Sequence, residues 1–229
     1  MSLALAISAS GLSTAPDWRR SVAWAVGYSV AEQQRGNAWT VQSDDGPVVY
    51  PVDWADIQNS IQGDGQAFAR LVTRYQDQIA AQMWRLSRQP SDCEQLVHDV
   101  FVEAYLSLKK YQGRAPFLHW LRKIATRVGY RYWKQQAKQR QRSAAPLQDW
   151  HKTTAAPAAG QTAEEAAALV HSMLVRLPAR DRLVLTLMYL EGCSVAEAAE
   201  LSGWSQTMVK VQAHRARKKL KKLLDEAAS

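Results

Sequence analysis

The residues with the clearest chemical potential near the C-terminus are cations that could bind an anion. Seven of the thirteen residues at positions 210–222 are Lys or Arg. Apolar residues recur among them at helical spacing, which puts them on one stripe and the cations on the other faces. The predicted stripe is Val209, Ala213, Ala216, Leu220 and Leu223 or Leu224. The pattern predicts an amphipathic helix that packs on protein with one side and presents positive charge with the other, either to water or to a polyanion.

A second helix is predicted directly upstream of this basic helix. Ser194 followed by Glu197 is the pattern of a capping box, Gly203 can form a tight turn, and Ser205 can cap the basic helix. A helix, a short turn and a basic helix are typical of a helix-turn-helix, in which the second helix enters the major groove of duplex DNA. An ordinary helical hairpin is the alternative, and the charge of the second helix favours DNA.

Another basic block lies at positions 109–142, which hold eleven Lys or Arg and no Asp or Glu. Tyr130, Tyr132 and Trp133 stand among these cations. Cations follow a phosphate backbone, and flat rings stack on unpaired bases with about 1–3 kcal/mol per base. The mixture therefore favours single-stranded or melting DNA. The alternative is that the rings belong to the core and only the cations are exposed.

The segment that begins at Pro90 is predicted to be a helix with two different faces. Ser91 and Glu94 match a capping box at its start. Its predicted outer face mixes carboxylates with Val and Leu and is less polar than solvent requires, so a protein-binding surface and a plain solvated face both stay open. That face comprises Gln95, His98, Asp99, Val102, Glu103 and Leu106.

Composition and charge narrow the class of function. The net charge of +8 is concentrated in the two basic blocks, which favours an extended polyanion contacted at two places. The five histidines are scattered, and neither paired carboxylates within the basic blocks nor a Gly-rich phosphate loop is present, so the sequence predicts no enzyme, no cofactor and no metal site. Two distant cysteines and no long apolar run predict a cytoplasmic protein without disulfides or a membrane span.

Helical periodicity predicts an all-α protein made of two small helical domains joined by a flexible linker, the C-terminal domain being a helix-turn-helix. Residues 1–52 are predicted to form a poorly ordered or regulatory extension. The two domains are predicted at 53–142 and 163–229, and the linker at 143–162, which is rich in Ala, Pro and Thr.

Five segments in this order resemble bacterial sigma factors of the extracytoplasmic-function (ECF) group. They are "GDGQAFARLVTRY", "DCEQLVHDVFVEAY", "APFLHWLRKIA", "LPARDRLVLTLMYLEGCSVAEAAELSG" and "VKVQAHRARKKLKKLL". The resemblance covers residues 53–142 and 163–229 and implies sigma region 2 in the first domain and region 4 in the second. It implies a protein that binds core RNA polymerase and directs promoter recognition and DNA melting, with an anti-sigma protein as a further expected partner.

The resemblance also implies three sets of contact residues. The set for a coiled coil of the largest polymerase subunit is Gln95, Asp99, Val102, Glu103 and Leu106. The set for the minus-ten element is Trp120, Arg127, Tyr130, Arg131, Trp133 and Lys134. The set for the minus-thirty-five element is Ser205, Gln206, Thr207, Lys210, Val211, His214, Arg215 and Lys218. Arg127 departs from the family, which usually has Asn in this segment, where the flipped minus-ten base is selected.

Two other interpretations fit part of the sequence. A helix-turn-helix transcriptional regulator would use the C-terminal domain alone, and it leaves the aromatic basic block and the Asp99 face unexplained. A sigma-like decoy that binds an anti-sigma factor and never DNA would have no need of its cations, and both basic blocks are present.

Overall fold

In a computed structural model, the chain is described over residues 51–143 and 163–228. Regular structure in these two ranges is helical, with eight α-helices and no strand, which confirms the all-α prediction. Almost all of the predicted N-terminal extension and of the predicted linker lies outside the described residues. No helix in the described ranges combines the length and the apolar character needed to cross a bilayer.

The helices follow one another with short connections. Helix α1 is Pro51–Ile61, α2 is Gly65–Ser87, α3 is Pro90–Ser107 and α4 is Phe117–Ser143, with a 3-10 turn at Leu108–Lys110. Helix α5 is Ala163–Val175, α6 is Ala179–Leu185, α7 is Val195–Ser202 and α8 is Gln206–Ala228, with a π-helical turn at Thr186–Leu190 after α6. The chain divides into two compact units between Ala125 and Thr126, so α4 begins in the first unit and ends in the second.

The N-terminal unit is built on α2, which packs against α1 and α3. Asp64 starts α2 as its N-cap, because its Oδ1 accepts hydrogen bonds from the backbone N–H of Gln66 at 2.8 Å and of Ala67 at 3.2 Å. The apolar faces of these helices and of the first turns of α4 meet in one core. Its fully buried side chains include Leu71, Ile79, Met83, Val100, Phe117, Leu121 and Ile124.

A polar network that the sequence analysis did not predict holds α1 on α2. The Arg74 guanidinium bridges Asp53 at 2.6 Å and Asp56 at 3.1 Å, and Arg70 adds a second contact to Asp56 at 2.7 Å. The Tyr75 hydroxyl donates to the other Asp53 oxygen at 2.6 Å. Both carboxylates are buried residues, and each is satisfied by side chains of the neighbouring helix.

The start of α3 differs from the prediction. The capping box expected from Ser91 and Glu94 is wrong, because the N-cap is Gln89 and Pro90 occupies the first helical turn. Proline suits that place since its φ is already helical and its missing N–H would have no partner there. Ser91 is therefore inside the helix, where it cannot act as the cap.

The C-terminal unit is organised around α8, which packs against α5, α6 and α7. Its core combines the buried run of α6 with the apolar stripe of α8. The buried residues of the two helices include Leu183, Val184, Val209, Ala213 and Ala216. The stripe predicted for α8 is thus confirmed at Val209, Ala213 and Ala216, whereas Leu220 and Leu223 are half-buried and Leu224 is 46 % exposed.

Candidate nucleic-acid interface

Helices α7 and α8 form the helix-turn-helix that the sequence predicts. Ser194 and Glu197 make a complete capping box, in which the Ser194 Oγ accepts from the Glu197 N–H at 3.2 Å and the Glu197 Oε2 accepts from the Ser194 N–H at 2.7 Å. Gly203 ends α7 with φ of 73°, a left-handed conformation that glycine adopts without strain. The Ser205 Oγ accepts from the Met208 N–H at 3.2 Å and caps α8.

The outer face of α8 carries every residue predicted for the minus-thirty-five element. While Val209, Ala213 and Ala216 are buried, the predicted contact residues are all exposed. Short polar side chains lie at the N-terminal end and cations follow, an order that suits base edges first and phosphates next. The exposed set is Ser205, Gln206, Thr207, Lys210, Val211, His214, Arg215 and Lys218.

Lys219, a cation of α8, bonds to a different helix. Lys219 donates its ammonium to Asp181 in α6 at 2.6 Å, and Gln212 donates its amide to the other oxygen of the same carboxylate at 2.5 Å. Asp181 is 1 % exposed. The sequence does not predict this contact, because its partners are separated by 31 and 38 positions and no local pattern joins them.

The exposed face of α4 presents a row of cations. Arg127, Arg131, Lys134, Lys138 and Arg142 are all exposed and follow at spacings of three or four residues, so they share one side of the helix. At 1.5 Å per residue the row is about 22 Å long. Because no Asp or Glu occurs between positions 109 and 142, the row has no negative side chain from its own segment beside it.

The aromatic residues of α4 lie in different environments. Tyr130 is half-buried, with the Lys134 ammonium 5.7 Å from its ring centre and the Trp204 ring edge-on at 6.4 Å. Trp120 is also half-buried and packs against Phe117 and Tyr111, with ring centres 5.4 Å apart in each pair. Both residues are therefore partly accessible to solvent, and Tyr130 lies beside a cation.

The prediction that Trp133 offers an open ring to unpaired bases is wrong for this conformation. Trp133 is only 3 % exposed, and the Arg182 guanidinium carbon lies 4.1 Å from its ring centre. A cation that close already occupies one face of the indole. Burial lowers the pKa of Arg182 to about 9, which reflects how completely this stacked pair is removed from water. For Trp133 the alternative reading, that the ring belongs to the core, is the correct one.

The outer face of α3 keeps the predicted mixture of charge and apolar surface. The Gln95 amide donates to Asp99 at 2.8 Å across one turn of the helix. Val102 and Glu103 are half-buried, while Leu106 is 70 % exposed, the largest value among the exposed large apolar side chains of the described residues. This face therefore stays a candidate for a protein-binding surface.

The described residues hold no group of three or more His, Cys, Asp or Glu side chains arranged to bind a metal ion. The cysteines that the structure describes, Cys93 and Cys193, are buried thiols that form no disulfide. Burial raises the pKa of the Cys93 thiol to about 12.

Comparisons with known proteins agree for both halves of the chain. Residues 71–139 match sigma-70 region 2, and residues 167–220 match sigma-70 region 4. The ECF RNA polymerase sigma-E factor of Haemophilus influenzae is 28% identical over 72% of this chain and 91% of its own length. The RNA polymerase sigma-H factor of Pseudomonas aeruginosa is 26% identical over 71% of this chain and 88% of its own length.

Among solved structures, CnrH in complex with the cytosolic domain of CnrY is 27% identical, with a TM-score of 0.49 over 76% of this chain and 97% of that chain. The two matched regions lie in the order 2 and then 4 and together span more than half of the 229 residues. This chain belongs to the ECF group of RNA polymerase sigma factors, which direct promoter recognition in transcription initiation.

Proposed function

We propose that three helical surfaces divide the work of this sigma factor. The outer face of α3 binds core polymerase, the exposed row of α4 binds the minus-ten element, and the outer face of α8 binds the minus-thirty-five element. The observation that carries the proposal is the two-sided character of α8, whose apolar stripe is buried while all eight predicted contact residues are exposed. A helix with this division, placed second in a helix-turn-helix, is built to enter a major groove.

The α3 surface is the proposed site for a coiled coil of the largest polymerase subunit. Leu106 supplies the exposed apolar centre, and Asp99 and Glu103 supply charge one turn apart. A coiled coil exposes charged flanking positions beside an apolar seam, which this mixed face complements. The proposed contact set remains Gln95, Asp99, Val102, Glu103 and Leu106.

The proposed minus-ten surface is smaller than the sequence suggested. Arg127, Arg131 and Lys134 are exposed and suit phosphate contacts, and Tyr130 is the ring best placed beside them. Trp120 stays in the proposed set at the start of the same helix, whereas Trp133 leaves it. Arg127 takes the place where the family usually has Asn. We therefore expect this protein to prefer a different base at the flipped position of the minus-ten element from the base that its relatives prefer.

The proposed minus-thirty-five contacts divide along α8. Ser205 caps α8, and Gln206 and Thr207 lie in its first turn; these three suit base edges, while Arg215 and Lys218 suit guanine or phosphates. Val211, 45 % exposed, offers an apolar contact for a thymine methyl group. Because several cations displace counterions, binding should weaken steeply as salt rises.

The protein on this proposal performs no covalent chemistry, since the polymerase carries the catalytic metal and the sigma factor supplies binding energy for promoter choice and strand opening. Its place of work is the cytoplasm, where core polymerase and promoter DNA are found. The resemblance to the family makes an anti-sigma protein a further candidate partner.

The test is run-off transcription with purified bacterial core polymerase on genomic fragments of the source organism, with and without the full chain. We expect discrete new transcripts whose start sites share paired upstream elements, and co-elution of the chain with core polymerase from a sizing column. Absence of both would overturn the polymerase-binding role and favour a helix-turn-helix regulator or a decoy.

A further inference from the structure

One buried carboxylate joins α8 to the helix beneath it. Asp181 lies in the first turn of α6 and is 1 % exposed. Its Oδ1 accepts a hydrogen bond from the Gln212 amide at 2.5 Å, and its Oδ2 accepts one from the Lys219 ammonium at 2.6 Å. Both oxygens of the carboxylate are therefore satisfied by side chains of α8, the helix proposed to enter the major groove.

The positions of the two donors along α8 restrict how this helix can move against α6. Gln212 and Lys219 are seven residues apart, so they lie on nearly the same side of the helix, about 10 Å apart along its axis. Their side chains converge on one carboxylate from opposite directions along that axis. Such a contact opposes both sliding of α8 along its axis and rotation about it.

Lys219 differs in this respect from the cation next to it in the sequence. Lys218 is exposed on the side of α8 that carries His214 and Arg215. Lys219 is turned by about 100° from it, toward α6. Its side chain is 53% exposed, yet its ammonium is held by a carboxylate with 1% side-chain exposure. The basic run of α8 therefore contains cations with two different roles.

We infer that Asp181 is a positioning residue for promoter recognition, and that Lys219 and Gln212 form its anchor on α8 instead of contacting DNA. The inference rests on the proposed role of α8. A carboxylate without its cation is costly when buried, so loss of Lys219 leaves Asp181 to seek another partner and releases the helix. Base contacts from the first turn of α8 depend on its orientation, whereas the number of neutralised phosphates does not.

Salt dependence separates an anchoring lysine from a phosphate-binding lysine. The experiment measures binding of the full chain to a fluorescent duplex of mixed sequence over a range of salt concentrations, for wild type, Lys218→Gln and Lys219→Gln. A plot of log affinity against log salt has a negative slope, and each lost phosphate contact makes that slope shallower by about 0.9. We expect that change for Lys218→Gln and an unchanged slope for Lys219→Gln.

Affinity for the promoter completes the comparison. The duplex for this measurement contains a promoter identified by run-off transcription. We expect Lys219→Gln to weaken binding to it roughly 2- to 10-fold at every salt concentration, which is the effect of one hydrogen bond. Lys219→Arg keeps the charge and the donor and should restore most of the affinity. A slope change in Lys219→Gln equal to that of Lys218→Gln would show that Lys219 contacts phosphate and would overturn the inference.

The free protein supplies a readout that does not depend on DNA. Asp181→Asn keeps the shape of the side chain but removes the charge, and it should speed hydrogen exchange in α8 while α2 exchanges as in wild type. Unchanged exchange in both Asp181→Asn and Lys219→Gln would also overturn the inference. A wild-type chain that binds no duplex at any salt concentration would instead overturn the proposed function, and with it any role of Asp181 in recognition.

Discussion

The two basic helices α4 and α8 carry eight and seven Lys or Arg residues but use their other residues differently. In α8 the small or aliphatic residues Val209, Ala213 and Ala216 recur among the cations, and they form a buried stripe as the periodicity predicts. In α4 the cations stand among large aromatic residues, one of which, Trp133, is buried under Arg182. Cations at helical spacing therefore indicate the exposed side of a helix. An aromatic ring among cations gives no such indication, because the ring itself can be exposed or buried.

The largest expected effect tests the buried side of α4. Trp133→Ala should lower the free energy of unfolding of the C-terminal unit by about 3–5 kcal/mol, because it removes a large buried ring and leaves a cavity under a buried guanidinium. Chemical denaturation followed by circular dichroism measures the change.

Tyr130→Ala is the matched control for Trp133→Ala, since Tyr130 is a half-buried ring three positions earlier on the same helix. It should cost clearly less stability. Equal small losses in the two variants would place Trp133 on the surface and restore it as a base-stacking candidate.

A smaller effect is expected on the exposed side of α8. Arg215→Ala should weaken promoter binding by about 1–3 kcal/mol if its guanidinium reads a base, and it should leave affinity for core polymerase unchanged. Fluorescence anisotropy with a promoter duplex and with labelled core polymerase gives the two affinities. Equal losses in both measurements would contradict the separation of DNA and protein surfaces.

Helix α3 supplies the reverse case. Asp99→Ala should weaken binding to core polymerase by about 1 kcal/mol, typical of one contact in a protein interface, and leave binding to an isolated promoter duplex unchanged. Asp99→Asn retains an acceptor for the Gln95 amide and isolates the contribution of charge. An Asp99→Ala variant that loses only duplex binding would assign α3 to DNA.

The smallest effect concerns the two sides of α4. Lys134→Gln should reduce the salt slope of DNA binding by about 0.9, because one phosphate contact is lost from the exposed row. Arg140→Gln is the control, since Arg140 lies off this row and bonds to Gln136 at 3.4 Å. Equal slope changes in the two variants would mean that charge anywhere on α4 suffices and that the row has no directed role.

Local features of this protein were predictable from neighbouring residues. The capping box of Ser194 and Glu197, the left-handed Gly203 and the Ser205 cap follow from contacts within a few positions, and the buried stripe of α8 follows from its period. The start of α3 shows the limit even of local patterns. Ser91 and Glu94 satisfied the capping pattern, yet Pro90 took the first turn.

The outer faces of α3 and α8 were predictable because the opposite face of each helix is apolar and must be buried. The periodicity of α3 leaves Leu106 outside its apolar stripe, and the structure exposes it by 70 %. Such an exception marks a candidate interface without identifying the partner. In this chain the partner was indicated by resemblance to a family and not by the residues themselves.

The sequence by itself determined the helices, the two basic blocks and the exposed faces, because each depends on residues that are neighbours along the chain. Only the tertiary structure decided that Trp133 packs against Arg182, that Asp53 and Asp56 hold Arg74, and that Asp181 binds Lys219. Each of these contacts joins residues 18 to 49 positions apart. A charged or aromatic side chain is equally suited to solvent, to DNA or to a buried partner until folding determines which of these lies beside it.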